Sequence, residues 1–377
     1  MDVIKFNNTT SPLLMEKGEI VNGLSSKMWI ERYRDNGDFT FVAPVSSNMR
    51  SILPIGTFVT HSNTFEVMIV ENHEITDNNG QETTIKITGR SMETLLERRV
   101  VVSNPTHSPP QYPLTAPYSD YALSSDFTWN QAVTLISDHI LGPDSVNQYR
   151  DPNMIIPYIK VNRSITGSGQ TVARTVPRGD LYSALKNLLA IENLGIQTIR
   201  PHYGTTTPQY TVFNIHNGLD LSETVNFSYN RGELINSDYL WSDKKIKNCA
   251  VVRGTYFEVF VTSPSNPVGL DRRVMYIDAS SLDKSYSSPI SATDQTIIQA
   301  ALRQKGLDVL AAQKEIALVK AEINKTSTTA KYRTDYNIGD IVGVMGAFSE
   351  NAKMRVIEHV EAEDSSGETS YPTLANV

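Results

Sequence analysis

Thiol chemistry is almost absent from this 377-residue chain: Cys249 is its one cysteine. No disulfide can form within the chain, and a cysteine-built metal site is excluded. Cys249 lies in Lys247-Asn-Cys-Ala-Val-Val-Arg253, an apolar strand pattern. A small buried thiol is expected there rather than a nucleophile. An excess of basic charge is missing too, with 34 Lys and Arg against 41 Asp and Glu and a net charge of -7. Phosphate affinity comes from clustered cations, so an open nucleic-acid surface is not expected. The pairs Arg98-Arg99, Lys244-Lys245 and Arg272-Arg273 are isolated and read as solvated element ends. No apolar run is long enough to cross a membrane, and no basic stretch followed by an apolar one opens the chain. Synthesis in a cytoplasm, as a soluble product with no membrane segment, is expected.

Catalytic signatures are equally scarce. The histidines His61, His73, His107, His139, His202, His216 and His359 are scattered. None has the spacing of a helical zinc site, and no Gly-x-Ser-x-Gly elbow occurs. Gly167-Ser-Gly169-Gln-Thr171 lacks the lysine of a phosphate loop. No residue is therefore assigned as catalytic, cofactor-binding or metal-ligating, no cofactor is expected, and the chain reads as a non-enzyme.

What the chain does contain is an internal repeat. Met68-Ile-Val-Glu71-Asn-His-Glu74-Ile-Thr-Asp77-Asn-Asn-Gly80 aligns without gaps to Arg355-Val-Ile-Glu358-His-Val-Glu361-Ala-Glu-Asp364-Ser-Ser-Gly367. Upstream, Gly56-Thr-Phe-Val59 matches Gly339-Asp-Ile-Val342. One β-module built twice points to scaffolding and symmetry matching. Glu71 and Glu74, like Glu358 and Glu361, face opposite ways on a strand and do not converge as calcium requires. With Asp77 and Asp364 they read as an exposed strand edge and an acidic turn.

The fold class is α+β and mainly β: two similar antiparallel β-barrel modules plus two smaller α/β or helical accessory domains. Residues 1–100 form the first module. Its opening hairpin joins Trp29–Tyr33 to Phe39–Val42 through Asn36-Gly37, expected at positive φ. Later strands end in a helix over 90–97, capped by Ser91. Residues 101–220 form an α/β domain with a proline-rich opening. It holds a helix over 128–141, with Val133, Ile136 and Ile140 on one face and His139 at its polar boundary. A second helix is capped by Asp180 and closed by Gly195. Residues 221–290 and 326–377 form the second, split module, interrupted by a helical domain over 291–325 whose helix runs from about 293 to 319.

Several segments together resemble the tail-hub, or baseplate-hub, proteins of long-tailed phages, in their siphophage form. They are Trp29-Ile-Glu-Arg-Tyr-Arg34 with Gly37-Asp-Phe39, then Gly56, then Met68-Ile-Val-Glu71. Ile87-Thr-Gly-Arg90-Ser-Met-Glu-Thr-Leu-Leu-Glu-Arg-Arg99 follows, then Asn248-Cys-Ala-Val-Val-Arg-Gly254, Ala301-Leu-Arg-Gln-Lys-Gly306-Leu-Asp-Val-Leu310 and Asp335-Tyr-Asn-Ile-Gly-Asp-Ile-Val342. The resemblance covers nearly the whole chain, with a poor match over 103–126. It implies a homotrimeric virion protein of the tail tip, made in the host cytoplasm. Six similar barrels would form a pseudo-sixfold ring under the tail tube or distal tail protein. Tape measure protein and a tip fibre or receptor-binding protein would be the other partners, and DNA would pass through an acidic channel without specific binding. Interfaces of roughly 2,000 Å² or more per subunit pair are expected. The chain ends at Val377, just past the second module, which leaves no long C-terminal extension carrying hydrolase or fibre segments. A carbohydrate-binding tail adhesin, using Tyr112, Tyr118 and Tyr121, is the alternative, and a cell-wall hydrolase a weaker one.

Overall fold

The structure is a computed structural model that describes residues 1–8, 15–76, 83–101, 120–140, 156, 159–165, 171–200, 211–242, 246–262, 267–283, 289–311, 316–323, 329–346 and 351–377. Asp77, Gly80, His107, Tyr112, Tyr118, His202, Gly167 and most of the proline-rich segment lie outside the described residues.

The fold is mainly β. One 11-stranded sheet runs through both ends of the chain. In the N-terminal part, Ser26–Arg32 and Asp38–Pro44 form an antiparallel hairpin. The ladder continues through Thr84–Ser91, Met68–Thr76, Phe58–His61, Val3–Asn8 and Met15–Ile20. Phe39, Phe41 and Ala43 alternate inward along one strand and join Trp29, Val59, Val70 and Ile87 in one core. In the C-terminal part, Asn226–Ser228 pairs Ile341–Met345, which pairs the long strand Asn351–Asp364; Gly367–Asn376 closes its other side.

The two parts are built alike. Gly56 and Gly339 both take positive φ, 89° and 93°. Each donates its N–H at 2.8 Å to a carbonyl of the following long strand, Val70 and Val356 respectively. Those same residues donate back at 2.9 Å to Thr57 and Asp340. Each long strand then carries a bulge at the next residue, Glu71 and Ile357, against its hairpin partner. The repeat is therefore real, but its register is one residue away from the ungapped alignment: Val70 corresponds to Val356, not to Ile357. A slip of one reverses the faces, so Glu71 and Glu358 are not equivalent. Apolar-acidic similarity fixed the alignment, whereas the bulge fixes the register.

Local chemistry departs from expectation at four other points. The hairpin loop spans 33–37 and neither Asn36 nor Gly37 has positive φ. Gly37 is glycine because a Cβ would lie 2.6 Å from the Ile30 carbonyl and 2.9 Å from Met68 Cε. Residues Met92–Arg98 form a 3-10 helix, and Ser91 caps nothing; its hydroxyl accepts from the Gly37 N–H at 3.0 Å. The helix Leu181–Ile191 is capped by Asp180, as expected, through the Ser183 N–H at 2.7 Å. After it, the left-handed residue is Asn193, φ 53°, rather than Gly195. His139 is no boundary residue: it is fully buried on the helix Thr128–His139, its Nδ1 2.8 Å from the Leu135 carbonyl and its ring edge-on to Tyr121.

Both of those helices share one core with the parallel pair Ile159–Ser164 and Thr211–His216, with Gly195–Ile199, and with Ile69, Met92 and Leu96 of the first module. A further core stands apart. Cys249–Arg253, Glu258–Thr262 and Val274–Asp278 form their own three-stranded sheet, covered by the helix Ala292–Ala311. These strands were expected within the second β module; burial ties them to the helix instead. The helix crosses Gly306 without a break; glycine stands there because a Cβ would sit 2.7 Å from Val252 Cγ2 and 2.8 Å from Val261 Cγ2. It stops at Ala311, earlier than expected, and Ile316–Ile323 is a strand antiparallel to Leu234–Ser242. Cys249 is buried, as expected.

Candidate functional site

The chain's buried polar chemistry is concentrated where the two β modules meet. Ser26–Arg32 runs antiparallel along Glu358–Glu363, beginning where Ile341–Met345 leaves off on the same side of that long strand. This pairing fuses the modules into one sheet.

Three sets of contacts hold the joint. Along the paired strands, Arg32 Nε binds Glu358 Oε2 at 2.7 Å and Lys27 Nζ binds Glu363 Oε1 at 2.8 Å. The terminal amine of Met1 reaches the other Glu363 oxygen at 2.5 Å. Glu358 also accepts from Thr373 Oγ1 at 3.0 Å.

Beneath them lies a cluster around Arg333, a non-glycine residue at φ 64°. That conformation is uncommon and costs energy, so the surroundings must enforce it. Its guanidinium binds Glu31 Oε1 at 2.5 Å and Glu361 Oε1 at 2.9 Å. Glu31 accepts further bonds from Trp29 Nε1 at 3.2 Å, Tyr332 Oη at 2.5 Å and the Thr64 hydroxyl. Burial pulls the Arg333 guanidinium down, but Glu31 and Glu361 outweigh it and hold its pKa above the ordinary value. Burial, reinforced by Glu31 and Glu93, pushes the Glu66 carboxyl well above the usual range, and burial raises Glu93 likewise. Desolvation, with the Arg333 charge, depresses His61 far below its usual value and His359 to about 3. His61 accepts the Asn63 N–H at Nδ1, which puts its own proton on Nε2, 3.3 Å from Glu361. His359 stacks on Tyr332 with centroids 3.7 Å apart.

On the third side Tyr33 acts as a wedge. Its ring fills the space that side chains at Gly195 and Gly339 would need. Its hydroxyl donates to the Asn193 carbonyl at 2.8 Å, and the buried Arg355 donates to the Asn217 carbonyl at 2.6 Å. His216 lies edge-on to the Tyr33 ring and is driven down to about 4 by burial and Arg355. Asp340 accepts from the N–H groups of Leu219 and Asn337, fixing the Gly339 turn.

The segments quoted above that begin at Trp29, at Ile87 and at Asp335 thus converge in space. Glu358 and Glu361, expected on an exposed edge, are half-buried in this joint, whereas Glu74 is exposed and Asp364 binds the Ser366 N–H in a turn, as expected. Glu31 carried no sequence signal beyond its place in the first of those segments, and Arg333 lies outside them and carried none. The cavity against Glu31, Glu66, Thr198 and Arg333 is only about 50 Å³, room for a water or two and no sugar or peptide. Arg333, Glu31 and Glu361 pair with one another there, and among the described residues no His, Cys, Asp and Glu group has metal-site geometry. Tyr121 is buried, so it offers no stacking platform. The arrangement holds three parts of the chain in fixed relation.

The fold is shared with known proteins. The tail protein from Neisseria meningitidis MC58 superposes with a TM-score of 0.52 at 12% identity, over 100% of this chain and 96% of that one. The 43 kDa tail protein of prophage MuSo2 from Shewanella oneidensis gives 0.51 at 12%, over 100% and 98%. Prophage tail protein gp18 from Listeria monocytogenes EGD-e gives 0.51 at 10%, over 100% and 95%. No curated protein matches by sequence. Residues 15–373 match the family described as Siphovirus ReqiPepy6 Gp37-like protein, and with nearly the whole length matched the chain belongs to that siphovirus family.

Proposed function

We propose that the protein is a structural hub of a siphophage tail tip, a homotrimer that adapts a sixfold tail to a threefold tip. The observation that carries this reading is the doubled β module, with the same glycine turn, the same reciprocal hydrogen bonds and the same bulge at Glu71 and Ile357. Three chains then present six like units, which a single module per chain would not. The fused sheet and the rigid joint at Arg333 fix the relation between the two units within each chain, as an adaptor requires.

In this reading the ring docks under the tail tube or distal tail protein and meets the tape measure protein on its axis. A fibre or receptor-binding protein attaches below. The net charge of -7 suits a channel that DNA traverses without sticking. The protein is non-enzymatic, is made in the host cytoplasm and resides in the virion. Its two β modules close as barrels in the ring. The three-stranded sheet with the helix Ala292–Ala311, and the α/β unit around the helix Leu181–Ile191, decorate the outside. The test is electron microscopy and light scattering on the purified chain. A trimeric ring with six similar lobes and an axial hole is expected; a solid or monomeric particle at high concentration overturns the reading.

A further inference from the structure

Five strands of the first module have counterparts in the second, but the edges of the two modules are not equally covered. Ser26–Arg32 and Asp38–Pro44 correspond to Leu234–Ser242 and Ile316–Ile323, an antiparallel pair in the same chain order. Phe58–His61, Met68–Thr76 and Thr84–Ser91 correspond to Ile341–Met345, Asn351–Asp364 and Gly367–Asn376. In the second module, Glu358–Glu363 is covered by Ser26–Arg32. By the bulge register, the equivalent residues of the first module begin at Asn72. Asn72–Thr76 pairs Thr84–Thr88 on one side. On the other side, beyond Phe58–Val59, no strand covers it among the described residues. Likewise Leu234–Ser242 pairs Ile316–Ile323 and, among the described residues, no other strand.

We infer that the open edge Asn72–Thr76 of one chain takes up the strand Leu234–Ser242 of a second copy, antiparallel, repeating between subunits the joint that Ser26–Arg32 makes with Glu358–Glu363 within one. The inference rests on the trimeric reading and names its interface. Ile75, at the position equivalent to Glu361, is 53% exposed on this edge. An uncovered strand with an exposed isoleucine invites pairing with another chain, and the edge has no proline or lysine among its described residues to prevent it. Pairing round the ring would alternate one internal and one external joint, so that every module is covered on the same side. A closed ring of this kind leaves no such edge free.

Hydrogen exchange on the full-length chain, with its mass measured in the same buffer, tests this. In the trimer the amides of Asn72–Thr76 and of Leu234–Ser242 should exchange about a hundredfold more slowly than in dilute monomer, while Ser26–Arg32 stays protected in both. Ile75→Lys should shift the equilibrium toward monomer, with Ile75→Val as the conservative control. A trimer in which both segments exchange as fast as in monomer overturns the inference and leaves the hub reading standing. A chain that stays monomeric at every concentration overturns both. The exchange measurement on the unaltered chain decides the matter even where Ile75→Lys fails to fold.

Discussion

Gly89 carries more of the fold than its size suggests. A Cβ there would overlap the Ile69 carbonyl across the strand pair and lie 2.6 Å from the Phe39 ring. A carbonyl in a ladder cannot retreat as a side-chain tip can. Gly89→Ala should cost about 3 kcal/mol or more, read as a lower denaturation midpoint. His216 gives the second residue-scale expectation. Its folded pKa, about 4, lies below the ordinary histidine value of 6.5, so the unfolded chain takes up the proton first as pH falls. Stability from this residue is complete above the unfolded value and declines as pH drops from 6.5 toward 4. The difference between wild type and His216→Gln should therefore shrink by roughly 3 kcal/mol over that window, measured by urea unfolding at both ends. Taking the difference cancels the opposite trend of Glu66 and Glu93, whose raised values favour the folded state at low pH. Neither glycine nor histidine declared these roles in the sequence. Gly89 stood inside a recognisable segment, yet what it must avoid comes from a strand twenty residues earlier; His216 is depressed by Arg355, distant in sequence and near only in space.

At the scale of elements, alternation was enough to place most strands. Phe39, Phe41 and Ala43 on one face announce their strand, and Asp180 announces the start of its helix. What alternation does not encode is which edge meets which. The pairing of Ser26–Arg32 with Glu358–Glu363 joins residues more than three hundred positions apart, and it turned an expected exposed acidic edge into a half-buried joint. The end of the last helix was misplaced for a related reason. Ile316–Ile323 contains alanine, leucine, lysine and glutamate, all good helix formers, and its partner strand overrides that preference. The joint is testable through Arg333. Arg333→Ala leaves Glu31 and Glu361 facing each other in a desolvated site, and should cost ~3–5 kcal/mol. The pair Glu31→Gln with Arg333→Met removes both signs of charge and should recover a good part of that loss. A double-mutant cycle by chemical denaturation reads the coupling; additive losses would mean that the cluster holds the modules by packing alone.

For the whole molecule, the decisive contrast is between two hairpins that occupy the same place in the repeat. In the first module five residues, 33–37, connect the strand pair. In the second, everything from 243 to 315 connects it, including the separate core of Val252, Val261, Leu302 and Leu310 under the helix Ala292–Ala311. An insertion at a hairpin tip need not disturb the sheet below, since loop closure grows only slowly with length. The inserted unit is not wholly independent, because Arg174 binds Asp308 at 3.2 Å with both side chains largely buried. Replacing 243–315 by a five-residue turn should therefore leave the 11-stranded sheet intact while exposing Arg174. Circular dichroism should keep its β signal and lose helical signal, and the exchange protection of Ser26–Arg32 and Glu358–Glu363 should be unchanged. Arg174→Gln in the shortened chain should change stability little, within about 1 kcal/mol, because the exposed guanidinium is solvated and no longer needs its carboxylate. If the shortened chain instead lost protection along Glu358–Glu363, the inserted unit would be part of what keeps the two modules joined, and the sheet would not be the independent frame on which the rest of the molecule is hung.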